Sequence, residues 1–263
     1  MLFEKHLEKE FEKAIRNRDF KVYLQPQVGL GKAAEYRAEA LVRWEHPERG
    51  LILPGDFVPL LEENGKICEL DMYMLEEVCR MLSEWREKGE ELIEISVNVS
   101  RIHLKREGKG ICKKYEEIRK KYHIPEGILG IEVTETALVE RNRLDFIKKI
   151  LDGFRSCGFK MALDDFGYAY SSLVLLKAFE VDTLKLDREF FVDENEKSRK
   201  IVEGIIELSH KLDMTVVAEG IEKMEQVEVL REMGCDFVQG YVFSKPVSVR
   251  EFALWRKNRE KYV

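Results

Sequence analysis

Six short apolar runs, each ending in a polar or charged side chain, follow one another along this chain at roughly the spacing of strand–helix units. They are Ile95-Ser-Val-Asn98, Leu129-Gly-Ile-Glu132, Met161-Ala-Leu-Asp164-Asp165, Thr183-Leu-Lys185-Leu-Asp187, Val216-Val-Ala-Glu219 and Phe237-Val-Gln239. In a barrel of parallel strands all C-terminal strand ends open on one mouth, so tips in series predict one shared polar rim. The separations from Asn98 to Glu132, Glu132 to Asp164 and Lys185 to Glu219 each match a strand, a loop and a helix returning to the next strand.

The length, 263 residues, suits one such barrel and is short for two, so a single domain over residues 1–263 is expected. Residues 1–18 read as a leading amphipathic helix with apolar positions at Leu2, Phe3, Leu7, Phe11, Ala14 and Ile15. Lys21 to Val28 and Glu35 to Trp44 read as strands around a turn at Gly29 to Ala34, a hairpin that makes one barrel strand antiparallel. A short helix is expected over Pro54 to Leu61. A longer one follows over Cys68 to Trp85, with Leu70, Met74, Val78, Met81, Leu82 and Trp85 as a core stripe. Lys105 to Tyr122 reads as helical, and later helices are expected over Arg143 to Cys157, Ser171 to Ala178, Lys197 to Leu212, Lys223 to Met233 and, within the C-terminal segment 247–263, Val249 to Arg259.

No apolar run is long enough to cross a bilayer, and Met1 to Phe20 is charged throughout, so neither membrane contact from this chain nor a signal peptide is expected. Five widely spaced cysteines without a Cys-x-x-Cys pair fit a reducing, cytoplasmic compartment. A formal charge of −6 argues against duplex nucleic acid as a partner, since that needs a basic face to release counterions. A small anionic ligand stays compatible, because bound cations reverse the local sign of an acidic rim.

The candidate metal ligands are Glu39, Asn98, Glu132, Asp164 and Asp165, all oxygen donors, while none of the five histidines falls at an expected strand tip. Such a set selects Mg²⁺ or Mn²⁺ over zinc or copper. Asp164 and Asp165 could bridge two ions for in-line attack on phosphorus, or cap a following helix. Lys185, flanked by Leu184 and Leu186, is either a buried ion-pair partner or a catalytic group that orients a nucleophile. Glu219 either braces its turn or helps hold a metal, with Glu222 supporting it from behind, and Gln239 suits a hydrogen bond to water or substrate.

In order along the chain, Glu39-Ala40-Leu41-Val42-Arg43-Trp44, Asn98-Val99-Ser100, Glu132-Val133-Thr134-Glu135, Asp164-Asp165-Phe166-Gly167, Leu184-Lys185-Leu186-Asp187, Ala218-Glu219-Gly220 and Gln239-Gly240-Tyr241 resemble the EAL domain family, from about Phe20 to Pro246. The resemblance implies an α/β fold, a modified TIM (β/α)8-type barrel. It also implies hydrolysis of cyclic di-GMP to linear pGpG with Mg²⁺ or Mn²⁺, two ions, and inhibition by Ca²⁺. By matching motifs, Glu39, Asn98, Glu132 and Asp164 would bind one metal, Asp164 and Asp165 would serve the second, and Glu219 and Gln239 would complete the site. Lys185 would contact the nucleophilic water, Arg43 a substrate phosphate, and Gln25 and Leu41 the guanine or ribose. Glu135, with Asp187 and Glu222, would support the loops. A homodimer and a GGDEF or sensor domain in a longer, membrane-attached parent are further implications.

The family usually carries a small residue or threonine and then glycine after Asp-Asp-Phe-Gly, where this chain has Tyr168 and Ala169. If that position needs a positive φ, alanine strains it by about 1 kcal/mol, which could loosen the second metal. The competing expectation is therefore a catalytically weak or inactive receptor for the dinucleotide. A metal-assisted lyase on another substrate would share the acidic rim but leave Arg43 and Gln25 without a role.

Overall fold

Alternating apolar and polar residues along two long, largely buried strands build the hairpin that closes the sheet on itself. The computed structural model describes residues 2–31, 35–106, 108, 110–138, 144–167, 172–192 and 195–258. In it β1 (Phe20–Gly29) and β2 (Tyr36–His46) pair antiparallel from Phe20 opposite Trp44 to Val28 opposite Tyr36. Next to β2 come β4 (Ile95–Asn98), β5 (Leu129–Thr134), β6 (Lys160–Phe166), β7 (Thr183–Leu186), β8 (Thr215–Ala218) and β9 (Phe237–Gln239), each parallel to its predecessor. The ring closes where β9 pairs antiparallel with β1. The expected modified barrel with one antiparallel strand is therefore the fold observed.

Two small strands lie outside the eight-membered ring: β3 (Gly50–Ile52) extends β2, and β10 (Val247–Ser248) extends β1. Neither has a sequence signal, because three and two residues are too few to show a period. The position of β10 explains how Pro26 fits a strand paired on both sides. The N–H groups of β1 point alternately to its two sides, Gly29 toward Glu35 and Leu30 toward Asp236, so the nitrogen of Pro26 faces the β9/β10 side. On that side β10 pairs at Tyr23 and Leu24 and β9 from Gln27 onward, which leaves Pro26 in the gap where no donor is needed.

Helices cover the outside: α1 (Leu2–Asn17), α2 (Pro54–Asn64), α3 (Ile67–Glu87), α4 (Arg101–Arg106), α5 (Gly110–Lys121), α6 (Glu135–Leu138), α7 (Leu144–Ser156), α8 (Ser172–Ala178), α9 (Glu196–Lys211), α10 (Met224–Glu232) and α11 (Val249–Lys257). The expected stripe on α3 is buried throughout, Leu70 to Trp85, and each such side chain stabilises the fold by roughly 1.5–3 kcal/mol. Under the hairpin Phe20 packs against Trp44, Phe57 and Phe11 with ring centroids 4.8–5.6 Å apart.

One helix expectation is corrected. The stretch Lys105 to Tyr122 is split between α4, which starts at Arg101, and α5, because Gly108 between them is left-handed with φ 57° and cannot continue a helix. The single turn α6 and a 3-10 turn at Arg188–Phe191 were not expected.

Candidate active site

Period-two geometry brings residues from all eight barrel strands or their ends into one mouth. At its centre Lys185 is 1% exposed, yet it lies within reach of four carboxylates. Its Nζ is 2.8 Å from Glu219 Oε1, 3.1 Å from Asp164 Oδ1 and 3.2 Å from Glu39 Oε2, and it also bonds Glu132 Oε2. Of the two alternatives for Lys185, the one seen is the buried ion-pair partner, at the centre of the rim.

Glu39 carries most of the remaining contacts. Asn98 Nδ2 donates to its Oε1 at 2.7 Å, and Gln239 Nε2 donates to its Oε2 at 2.7 Å. Ser96, two residues before Asn98 on β4 and so on the same face, donates to Glu132 Oε1. Gln239 also donates to Gln25 Oε1 at 3.1 Å and accepts from Gln27 at 2.8 Å. Past Asn98, the Ser100 N–H donates to Asp71 Oδ2 at 2.9 Å and its hydroxyl to Glu62 at 2.6 Å, anchoring that strand tip to α2 and α3. Ser96, Gln27 and Asp71 were not singled out from sequence. For Ser96 and Gln27 the available signal was a polar residue two positions from a rim residue on a barrel strand.

Four carboxylates, Glu39, Glu132, Asp164 and Glu219, therefore surround a single ammonium, and Asp165 beside Asp164 adds a fifth acid to the rim. Burial alone would push Glu39 up, but Lys185 and the amides of Gln239 and Asn98 hold it below its ordinary value. Glu132 is pushed up to about 8 by burial and by the charge of Glu39, against the pull of Lys185. Glu219 is also raised, by burial and then by its acidic neighbours, and Asp165 reaches about 6 through burial and the charges of Asp164 and Asp187. Lys185 stays well above its usual value, because Asp164, Glu132, Glu219 and Glu39 outweigh the cost of burial.

Such an excess of anionic oxygen matches the donor chemistry of hard divalent cations, which would return these acids to their charged forms. Among the described residues no three acidic, histidine or cysteine side chains surround a common ion-sized centre; the carboxylates turn onto Lys185, with which an ion has to compete.

The supporting residues are placed as follows. Asp165 sits at φ 54°, a left-handed conformation that turns the chain just past Asp164. Glu135, fully buried, accepts the Gly167 N–H at 3.0 Å and so holds the loop after Asp165. Asp187 caps the 3-10 turn by accepting the Glu189 N–H. Glu222 is exposed on the turn after β8, its own N–H donating to Gln226. Leu41 and Arg43 share a face of β2 with Glu39, and Arg43, half-buried, donates to the Val42 carbonyl at 2.8 Å. Gln25 is buried, its amide donating to the Ser244 carbonyl at 3.3 Å. Beside the rim a cleft of about 480 Å³ is lined by Leu41, Val58, Glu62, Asn98, Ser100 and Thr134. Tyr168 and Ala169 lie outside the described residues.

Comparisons with known proteins agree with this geometry. The EAL domain family model matches residues 8–246. The chain is 36% identical over 249 residues to the cyclic di-GMP phosphodiesterase NbdA of Pseudomonas aeruginosa, covering 93% of this chain and 31% of NbdA. It is 33% identical over 254 residues to the cyclic di-GMP phosphodiesterase PdeR of Escherichia coli, covering 95% of this chain and 37% of PdeR. The chain thus spans about a third of the length of these curated relatives. Among solved structures, the phosphodiesterase PaMucR in complex with c-di-GMP superposes with a TM-score of 0.84 at 31% identity, covering 94% of this chain and 99% of that one. With the rim, the barrel and the matched segment all in agreement, the chain belongs to the EAL domain family.

Proposed function

We propose that this chain hydrolyses one phosphodiester bond of cyclic di-GMP, releasing linear pGpG and lowering the level of that second messenger in bacterial signalling. The observation that carries the reading is the convergence of Glu39, Asn98, Glu132, Asp164, Lys185 and Glu219 on one barrel mouth, supported by relatives named as phosphodiesterases of this dinucleotide. Dependence on divalent cations follows from the family and from the all-oxygen donor set. In this reading Glu39, Asn98, Glu132 and Asp164 would hold one Mg²⁺ or Mn²⁺, Asp164 and Asp165 would serve the second, and Glu219 would assist, with Ca²⁺ inhibitory. Bound there, such ions lower the pKa of water and neutralise a phosphate.

The side chains supply the rest. Lys185 Nζ orients the attacking water and stabilises charge developing on the phosphoryl oxygens. Gln239 keeps Glu39 Oε2 in place, and Glu219 holds Lys185 through its ion pair. Arg43, roughly 13 Å along β2 from Glu39 at 3.3 Å per residue, meets a phosphate at the edge of the mouth. The cleft lined by Leu41 admits one guanine, with Gln25 near the same ligand. Water attacks phosphorus in line as the bond to the ribose 3′ oxygen breaks, a proton from the water ends on that oxygen, which leaves as a hydroxyl, and the product carries a 5′ phosphate.

The five free cysteines agree with a cytoplasmic setting, and no helix among the described residues is long and apolar enough to cross a membrane. A homodimer, and a GGDEF or sensor domain elsewhere in a longer parent chain, belong to the same proposal. Incubation of the protein with cyclic di-GMP and Mg²⁺ or Mn²⁺ tests it by chromatography. Linear dinucleotide is expected; tight binding without product in either metal would favour the receptor reading.

A further inference from the structure

Across the seam where β9 meets β1, buried side chains form a hydrogen-bond series whose direction is set by chemistry. The Glu39 carboxylate only accepts, so Gln239 presents Nε2 to it, at 2.7 Å from Oε2. The second Nε2 proton of Gln239 reaches Gln25 Oε1 at 3.1 Å, and Gln25 in turn donates to the Ser244 carbonyl, another pure acceptor, at 3.3 Å. With both ends fixed, Gln239 Oε1 faces Gln27, whose Nε2 donates to it at 2.8 Å. Gln27 lies directly opposite Gln239 in the β1–β9 register and is 4% exposed.

We propose that Gln27 is a positioning residue for hydrolysis. Acting through Gln239, it locks that amide in the orientation that donates to Glu39, and so fixes the carboxylate oxygen shared by Gln239 and Lys185. An amide rotated by half a turn would set Oε1 against Glu39 Oε2, acceptor against acceptor. The Gln27 donor adds to the preference that Glu39 and Gln25 set between these two orientations, which have nearly the same shape. This inference rests on the function proposed above.

Gln27→Met and Gln27→Glu in the full chain test it. Met keeps the volume and loses the donor; Glu is isosteric and turns the donor into an acceptor. The readouts are kcat and KM for cyclic di-GMP, the Mn²⁺ dissociation constant by calorimetry without nucleotide, and the thermal midpoint. Gln27→Met is expected to lower kcat about tenfold, equivalent to about 1.4 kcal/mol, with weaker Mn²⁺ binding and KM within about twofold. Gln27→Glu is expected to lower kcat further, to about a hundredfold, despite the closer shape. Wild-type kcat and Mn²⁺ binding in either variant, or an equal loss in both, would overturn the assignment.

Should both variants fail to fold, the unsubstituted protein decides by NMR. One Gln27 Nε2 proton should exchange slowly with water because it donates to Gln239 Oε1, and rapid exchange of both Gln27 Nε2 protons would overturn the assignment. Absence of turnover in the wild-type protein would instead sink the functional reading, while the Mn²⁺ and NMR measurements still judge Gln27.

Discussion

Replacing Lys185 with methionine keeps most of the side-chain stem and removes the one ammonium from the ring formed by Glu39, Glu132, Asp164 and Glu219. Stripping a buried ion pair of one partner costs about 3–5 kcal/mol, because the remaining charge has no compensation. Proton uptake limits the loss, since Glu132 and Glu219 are already raised and take protons more readily once the ammonium is gone. For a chain of this length, the loss corresponds to a midpoint lower by roughly 6–20 °C in chelator. Mn²⁺ should raise the midpoint of Lys185→Met more than that of the wild type, because the ion then neutralises oxygens that nothing else satisfies. Hydrolysis should fall by at least about 10²–10³, the loss seen when a group that stabilises developing charge is removed. Differential scanning fluorimetry with and without Mn²⁺, together with chromatography of the nucleotide products, measures each quantity. A variant that melts within about 2 °C of wild type in chelator and turns over within about tenfold of it would refute this account of the rim.

Three further outcomes follow from the same geometry. Glu39→Ala removes the acceptor shared by Lys185, Asn98 and Gln239, and should abolish hydrolysis while far-UV circular dichroism stays native; retained activity would mean the carboxylate is misassigned. Gly240→Ala would put a Cβ 1.9 Å from the Ile221 carbonyl oxygen and 2.6 Å from its nitrogen, both backbone atoms, so urea unfolding should show a loss of about 3 kcal/mol or more. In chelator, stability should fall as pH rises from about 5 to 8. Glu132, at about 8, and Asp165, at about 6, bind more protons folded than unfolded, so their contribution is present at low pH and lost as pH climbs through those values. Glu39, held low, works the other way and only below its ordinary value. Denaturant titrations that stay flat or rise across that window would contradict the charge excess, and saturating Mn²⁺ should flatten the slope.

Most of the rim was legible in the sequence because Asn98, Glu132, Asp164 and Glu219 lie at or within two residues of a strand end, and strand ends in a parallel barrel share one mouth; Glu39, inside β2, was reached only through its motif. The hairpin and its antiparallel strand were legible for the same kind of reason, an alternation long enough to read. What escaped were features that depend on a neighbouring strand. Ser96 and Gln27 matter only because β5 brings Glu132 within hydrogen-bond reach of the first and β9 sets Gln239 opposite the second. Asp71 lies on the core face of α3, where the apolar stripe dominates the pattern, and its contact with the Ser100 N–H joins elements far apart in sequence. The break at Gly108 was hidden by charged residues on both sides, and β10 is too short to announce itself, although it completes the edge of β1 around Pro26. That Lys185 faces four acids rather than one could not be read from spacing, since it depends on strand stagger and rotamers.

Hydrolysis of cyclic di-GMP in water enriched in oxygen-18, followed by mass spectrometry of the product, tests the central claim most directly. Attack by water on phosphorus at this rim predicts linear pGpG carrying one heavy oxygen in its 5′ phosphate, formed only with Mg²⁺ or Mn²⁺ and not by Glu39→Ala. An unlabelled product, formation of product in chelator, or intact cyclic dinucleotide under both metals would contradict it.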